Sequence, residues 1–277
     1  KSKTFFEFFL ENTPMVSDCV ANVIRKFKNH PSIIKIKEVI KTSSGFSFTT
    51  VSSDEILNQI SLLDSSKKGT FGNIPTKILK QISTLCSPFL MNIWNSEILD
   101  KKRFSENLKL ADITPIYKKD DKNLVENYRP ISVLPTVSKL FEKILQKQII
   151  EYIDRFLSPY LCVYRKGYSA QTALLSLIES WKYQLDNNGF GGAILMDLSK
   201  AFDTINHDLL IAKLHAYDFN KSALEIMKSY LSNRWQRVKV NTSFNSWGKL
   251  MQGVPQGSVL DPLLFNIYIN YLFFTLN

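Results

Sequence analysis

The sequence predicts an α+β fold, and three observations carry that expectation. Several stretches repeat apolar residues at helical spacing, as Ile56, Ile60 and Leu63 do. From Leu108 the period shortens: Leu108, Leu110 and Ile116 interleave with polar residues, and a polar turn over 118–127 leads to Tyr128, Ile131 and Val133, a strand, turn and strand. The run 193–198, released by Gly191-Gly192, is apolar up to Asp197 and fits a strand buried on both faces.

In order along the chain, the first fifty residues, with His30-Pro31 and the polar cluster at 42–45, carry no strong period and read as an extended arm with short helical pieces. Ser52 and Glu55 have the spacing of a capping box and open a helix. Residues 67–73 form a basic, glycine-containing loop. Pro75 suits a first helical turn carrying Ile78, Leu79, Ile82 and Leu85, and Pro88 is expected to break that run before another helix over 89–99. Ser138 is expected to cap a long amphipathic helix reaching Ile153, and a second helix over 169–185 follows the turn Arg165-Lys166-Gly167. Helices at 207–216 and 222–231, a hairpin pairing 235–240 with 246–251, and a helix after Gly257 complete the pattern.

A chain of 277 residues with 44% hydrophobic content can bury a substantial core, and nothing in it reads as a low-complexity tract or repeat. Lys+Arg number 35 against 25 Asp+Glu, a net +10, which favours a polyanionic partner, nucleic acid ahead of anionic lipid. Cys19, Cys86 and Cys162 have neither metal-ligand nor redox spacing and read as free, buried thiols; His30, His207 and His215 do not complete a zinc pattern and read as surface or capping residues. No apolar run spans a bilayer, because Asn266 and Asn270 interrupt the greasiest stretch, and residues 5–10 lack the features of a signal peptide. The chain starts at Lys1 without Met and stops at Asn277 inside an apolar segment, so it reads as a piece of a longer protein.

Three constellations could carry chemistry. In Met196-Asp197-Leu198-Ser199-Lys200-Ala201-Phe202-Asp203, a carboxylate leaving a buried strand calls for a cationic partner, for which Mg2+ is a candidate; Asp197 could equally cap the next turn. Asp203 reads as the cap of the following helix, and Phe202 by spacing suits the core or a bound sugar. Gln252-Gly253-Val254-Pro255-Gln256-Gly257-Ser258 is a tight polar loop whose backbone can approach a phosphate, or simply a turn into a helix. Tyr117-Lys118-Lys119, Tyr128-Arg129-Pro130 and Tyr164-Arg165-Lys166-Gly167 interleave cations with aromatics, as phosphate and base contacts require, whereas Lys67-Lys68 and Lys101-Lys102-Arg103 fit a solvated face.

Ile113-Thr114-Pro115-Ile116-Tyr117-Lys118-Lys119, Asn127-Tyr128-Arg129-Pro130-Ile131-Ser132, the Asp197 block and the loop at 253–258 follow one another as the blocks of non-LTR (LINE-like) retrotransposon reverse transcriptases do, and from about Asp54 onward the chain resembles that family. The resemblance implies a polymerase right-hand fold: a mostly helical N-terminal extension at 1–107, fingers at 108–191, and a partial palm at 192–277. It implies an RNA-directed DNA polymerase working by two-metal phosphoryl transfer from a dNTP to a primer 3′ hydroxyl. Asp197, helped by the Leu198 carbonyl, matches the metal-binding position for Mg2+, with Mn2+ as a substitute. Lys118, Arg129, Phe202, Gln256 and Gly257 match the nucleotide pocket, Phe202 as the residue that blocks a ribose 2′ hydroxyl; Lys119, Arg165 and Lys166 match contacts to nucleic acid. The implied partners are an RNA template, a DNA primer or target DNA, and dNTP, with no membrane and an intracellular setting with access to the nucleus.

Val163, Asp261 and Tyr271 depart from the family pattern, Asp261 standing where glycine is usual and Tyr271 where aspartate is. In the family an Asp-Asp pair follows downstream, and this chain ends before it, as it does before the thumb. The alternative to an active enzyme is therefore a catalytically dead RNA-binding remnant of a decayed element. A third possibility, a group II intron maturase-like RNA-binding protein, would be expected to carry a maturation domain.

Overall fold

The computed structural model describes residues 18–41, 45–66, 74–198 and 200–275. The readings at 5–10, 42–44, 67–73, Ser199 and the last two residues lie outside these. The fold is mixed α+β, with short helices α1 (Val20–Lys26), α2 (Pro31–Val39), α3 (Ser53–Ser61), α4 (Thr76–Gln81) and α5 (Ser83–Asn92) leading into strands β1 (Leu110–Tyr117) and β2 (Tyr128–Val133). The described part of the first fifty residues is not an extended arm. Val23, Ile33 and Ile36 are buried, and α1 and α2 pack on helix α8 (His207–Ala216). His30 caps α2 by accepting from the Ser32 amide at 3.2 Å.

Ser52 and Glu55 close the expected capping box on α3. Pro88 does not break a helix: α5 runs through it, and the chain bends instead at Ile82. The Thr84 carbonyl that Pro88 deprives of a partner instead accepts from the Ser87 hydroxyl at 3.4 Å, which moderates the cost of proline there. Beyond Asn92 the helix continues as a π-helical run, Ile93–Asp100, and buries Trp94.

β1 and β2 pair antiparallel, Thr114 opposite Ile131 and Tyr117 opposite Tyr128, as the alternation predicts. β3 (Arg234–Val240) joins β1 in parallel and carries β4 (Ser243–Phe244) and β5 (Gly248–Leu250) antiparallel, giving the expected hairpin. Asp112 sits opposite Arg237 across β1 and β3, and a 2.7 Å charge-assisted hydrogen bond joins them.

After the β1–β2 pair comes α6 (Thr136–Ile153), which packs on α3 and whose Leu140, Phe141, Ile144, Leu145, Ile149 and Ile153 are all buried. At about 2 kcal/mol for each such side chain, this face is a major part of the core. Ser138 is not its cap. The helix starts at Thr136 with Pro135 before it, and Ser138 is buried two residues in, its hydroxyl 3.4 Å from Glu142.

α7 (Ala170–Asp186) is capped by Ser169 and buries no residue. The run 193–198 that follows forms no strand: Ile194, Leu195 and Met196 are 90%, 96% and 86% exposed. A strand needs a neighbour to pair its amides and carbonyls, and among the described residues none lies beside this one. The expected burial on both faces is therefore not met.

α8 and α9 (Lys221–Leu231) bury most of their residues, and α10 (Asp261–Ile269) and α11 (Tyr271–Thr275) complete the chain. The cysteines are free as expected but not buried: Cys19 is exposed, and Cys86 and Cys162 are half-buried. No helix among the described residues is long and apolar enough to cross a membrane.

Candidate nucleotide-binding pocket

The loop between β5 and α10 organises the site. Its amides bond the segment before α8, Gly253 N–H to the Ile205 carbonyl at 2.8 Å and Val254 N–H to the Phe202 carbonyl at 3.1 Å. On its other side the Ser132 amide of β2 donates to the Gln256 carbonyl at 2.8 Å. The loop thus joins the Asp203 segment to the sheet. Gly253 has φ +77°, and a Cβ there would stand 2.7 Å from the Asp203 backbone, so only glycine fits. His207, half-buried and with its pKa lowered chiefly by that burial, donates from Nε2 to the Gly253 carbonyl at 2.6 Å.

Between the loop, β1, β2 and the Phe202 segment lies a cavity of about 440 Å³. That lies within the range usual for small-molecule sites. Its walls include Lys118, Arg129, Leu198, Phe202 and Gln256, drawn from four separate sequence blocks. Lys118 and Arg129 are exposed cations at the rim, and Gln256 is half-buried. Phe202 packs against the hydrophobic core and also faces the pocket. It is half-buried on the pocket wall, its ring 4.8 Å from that of Phe265 and 6.2 Å from that of Tyr164.

The pocket does not gather every expected residue. Asp197, Lys119, Arg165, Lys166 and Gly257 are not among its lining. Asp197 is exposed on the unpaired segment, one residue from Leu198. Arg165 is engaged within the fold: its guanidinium bonds Asp154 at 3.0 Å and the Ser158 carbonyl at 2.8 Å, and lies over the Tyr168 ring at 4.4 Å. Lys101 and Lys102 pair with Glu97 and Glu225, in keeping with a solvated face.

Asp203 does not cap α8. Asn206 does, accepting from the Leu209 amide at 2.9 Å, and this leaves Asp203 on the pocket wall with Lys200 beside it. Sequence spacing favoured the cap because Asp and Asn serve equally well in that role. Asp261, at the start of α10, accepts from the Gly257 amide at 3.1 Å and leaves Oδ1 buried without a partner. Burial first, and then the charges of Asp203 and Glu142, push its pKa up to about 7 against the pull of the Gly257 amide.

For a divalent ion, the donors at hand are the Asp197 carboxylate and the neighbouring Leu198 carbonyl, hard oxygens that suit Mg2+ arriving with phosphate and water. Among the described residues no group of three His, Cys, Asp or Glu stands together to hold a pair of such ions.

The family described as reverse transcriptase (RNA-dependent DNA polymerase) matches residues 116–277. The chain is 31% identical over 218 residues to the probable RNA-directed DNA polymerase from transposon BS of Drosophila melanogaster, covering 78% of this chain and 24% of that protein. It is 26% identical to the RNA-directed DNA polymerase from mobile element jockey of the same fly, over 79% of this chain and 24% of the relative. The probable RNA-directed DNA polymerase from transposon X-element is 28% identical over 69% of this chain and 21% of its own length. The chain belongs to the reverse transcriptase family. It spans about a quarter of the length of these relatives.

Proposed function

We propose that this chain supplies the nucleotide-binding part of a retrotransposon RNA-directed DNA polymerase. The observation that carries the reading is the meeting of Lys118, Arg129, Phe202 and Gln256 around one cavity although their blocks lie far apart in sequence. In this reading residues 108–191 are fingers, 192–277 are part of the palm of a right hand, and 1–107 are a helical extension.

The incoming dNTP enters with its triphosphate toward Lys118 and Arg129, whose rim positions let them neutralise phosphate charge while staying hydrated. Phe202 presents its ring to the sugar, and Phe265 behind it keeps the ring from yielding. Gln256 lines the same pocket, and Gly257, next to the lining, is proposed to hold the loop against the nucleotide. A Mg2+ ion carried in with the triphosphate, or Mn2+ in its place, would be held by Asp197 and Leu198 and would neutralise charge at the reacting phosphate. A two-ion mechanism requires carboxylates beyond Asp197. The RNA template and DNA primer follow from the family, with Lys119, Arg165 and Lys166 as the cations proposed to meet nucleic acid; the pairing of Arg165 with Asp154 leaves it less free for that role than the two lysines.

Primer extension on an RNA template by a protein containing this chain tests the reading. Arg129→Ala should raise KM for dNTP about tenfold, the loss of one charge-assisted contact worth about 1.5 kcal/mol. An unchanged KM would remove Arg129 from the nucleotide pocket, and RNA binding without any extension by the parent protein would favour the RNA-binding remnant. Phe202→Ala should raise ribonucleotide incorporation relative to deoxyribonucleotide, and equal selectivity in the two proteins would remove Phe202 from the gate.

A further inference from the structure

α6 holds the pocket loop from behind with two side chains one helical turn apart. Glu142 Oε2 accepts from the Val259 amide at 2.8 Å, and Gln146 Nε2 donates to the Val259 carbonyl at 2.9 Å. Both backbone groups of Val259 are thereby satisfied by one helix. Glu142 is fully buried, and its other oxygen accepts from Tyr230 at 3.1 Å and from Ser138 at 3.4 Å. Arg234, itself buried, supplies the opposing charge and donates to the Tyr230 carbonyl at 3.0 Å.

A buried carboxylate with three donors and a cationic neighbour is a costly arrangement to assemble. Packing α6 against the core does not require it, because a leucine of similar size would serve that purpose. What the arrangement does is fix a loop residue in register. Val259 lies three residues past Gln256, whose own carbonyl is held by β2, and the Ser258 amide closes back on the Pro255 carbonyl at 2.8 Å. The span 256–259 is therefore tied at both ends, by the sheet at Gln256 and by α6 at Val259.

We infer that Glu142 and Gln146 are positioning residues that set Gln256 in the nucleotide pocket by clamping the two backbone groups of Val259. Neither residue lines the cavity or touches a ligand there. The inference rests on the nucleotide-pocket reading above. Their effect reaches the nucleotide through the loop, so it should appear in KM for dNTP before it appears in kcat.

Four variants of a protein containing this chain separate the possibilities in primer extension: Gln146→Leu, Glu142→Leu, Glu142→Gln and Gln256→Ala. Gln146→Leu keeps the helix and its packing, loses one hydrogen bond, and should raise KM for dNTP about fivefold with kcat nearly constant. Glu142→Leu should raise KM further. Glu142→Gln keeps an acceptor for the Val259 amide and should recover a large part of that loss. A merely structural role would lower the active fraction, and so apparent kcat, with KM unchanged in all three clamp variants; that result overturns the inference. If Gln256→Ala raises KM while the clamp variants do not, the clamp fails and the pocket reading stands. If Gln256→Ala leaves KM unchanged as well, the pocket reading itself has failed. Hydrogen exchange adds a check that needs no activity: the Val259 amide should lose protection in Glu142→Leu and keep it in Glu142→Gln, and equal protection in both overturns the clamp.

Discussion

Asp197→Asn should abolish primer extension, with a loss of at least a hundredfold, about 3 kcal/mol of transition-state stabilisation or more. The structure makes this a clean substitution. Asp197 is exposed on a segment that pairs with no strand among the described residues, so the amide should fold as well as the carboxylate and melt at the same temperature. RNA binding should also persist, because the cations proposed to meet nucleic acid lie elsewhere in the chain. Extension and RNA binding measured on the same preparation give the check. Extension retained by the variant would remove Asp197 from the reaction, and loss of both together would point to a folding defect instead.

The same exposure explains why Asp197 was the hardest part of the site to read from sequence. Residues 193–198 are as apolar as a buried strand, and periodicity registers composition rather than the presence of a partner. Without a neighbouring strand the segment stays open, and its side chains face water.

Where an element satisfies itself locally, the sequence was enough. The Ser52–Glu55 box and the alternation through Ile116 and Ile131 each carry their own physical cause within a few residues. Where the cause is distant, it was not. Glu142 and Gln146 sit among the polar positions of an amphipathic helix, and nothing nearby marks them as ligands of a loop more than a hundred residues away. Pro88 was misread for a related reason, since whether a proline breaks a helix depends on where the freed carbonyl finds a donor. The pocket itself was legible only as a set of blocks: Lys118, Arg129, Phe202 and Gln256 each had an ordinary reading alone, and their order along the chain joined them.

Asp261→Asn should make the protein more stable at pH 8 than its parent, by about 2 kcal/mol, with the advantage vanishing between about pH 5 and 6 and turning into a deficit of about 1–2 kcal/mol at pH 4. The folded-state pKa of about 7 stands above the ordinary 3.8, so protonation favours the fold. The sign follows: the contribution of this group is fully present below about pH 4 and is lost as pH rises to 7. A gap of about three pH units corresponds to about 4 kcal/mol. Asparagine cannot ionise, and its carbonyl can still accept from the Gly257 amide. Its NH2 group, however, takes the place of the unpartnered Oδ1 and leaves a buried donor, which takes back about 2 kcal/mol. His207, Asp203 and Glu142 also titrate with shifted pKa values and are present in parent and variant; Asp203 and Glu142 act on Asp261 through their charges, so the difference between the two proteins reads Asp261 together with that coupling. Urea unfolding of both proteins at pH 4, 6 and 8 measures it, and a difference that does not change with pH would mean that the carboxyl is solvated like any surface aspartate. A pH-dependent difference would place a titrating group directly beneath Gly257, so that ionisation of one buried side chain strains the same loop that Glu142 and Gln146 hold from the other side.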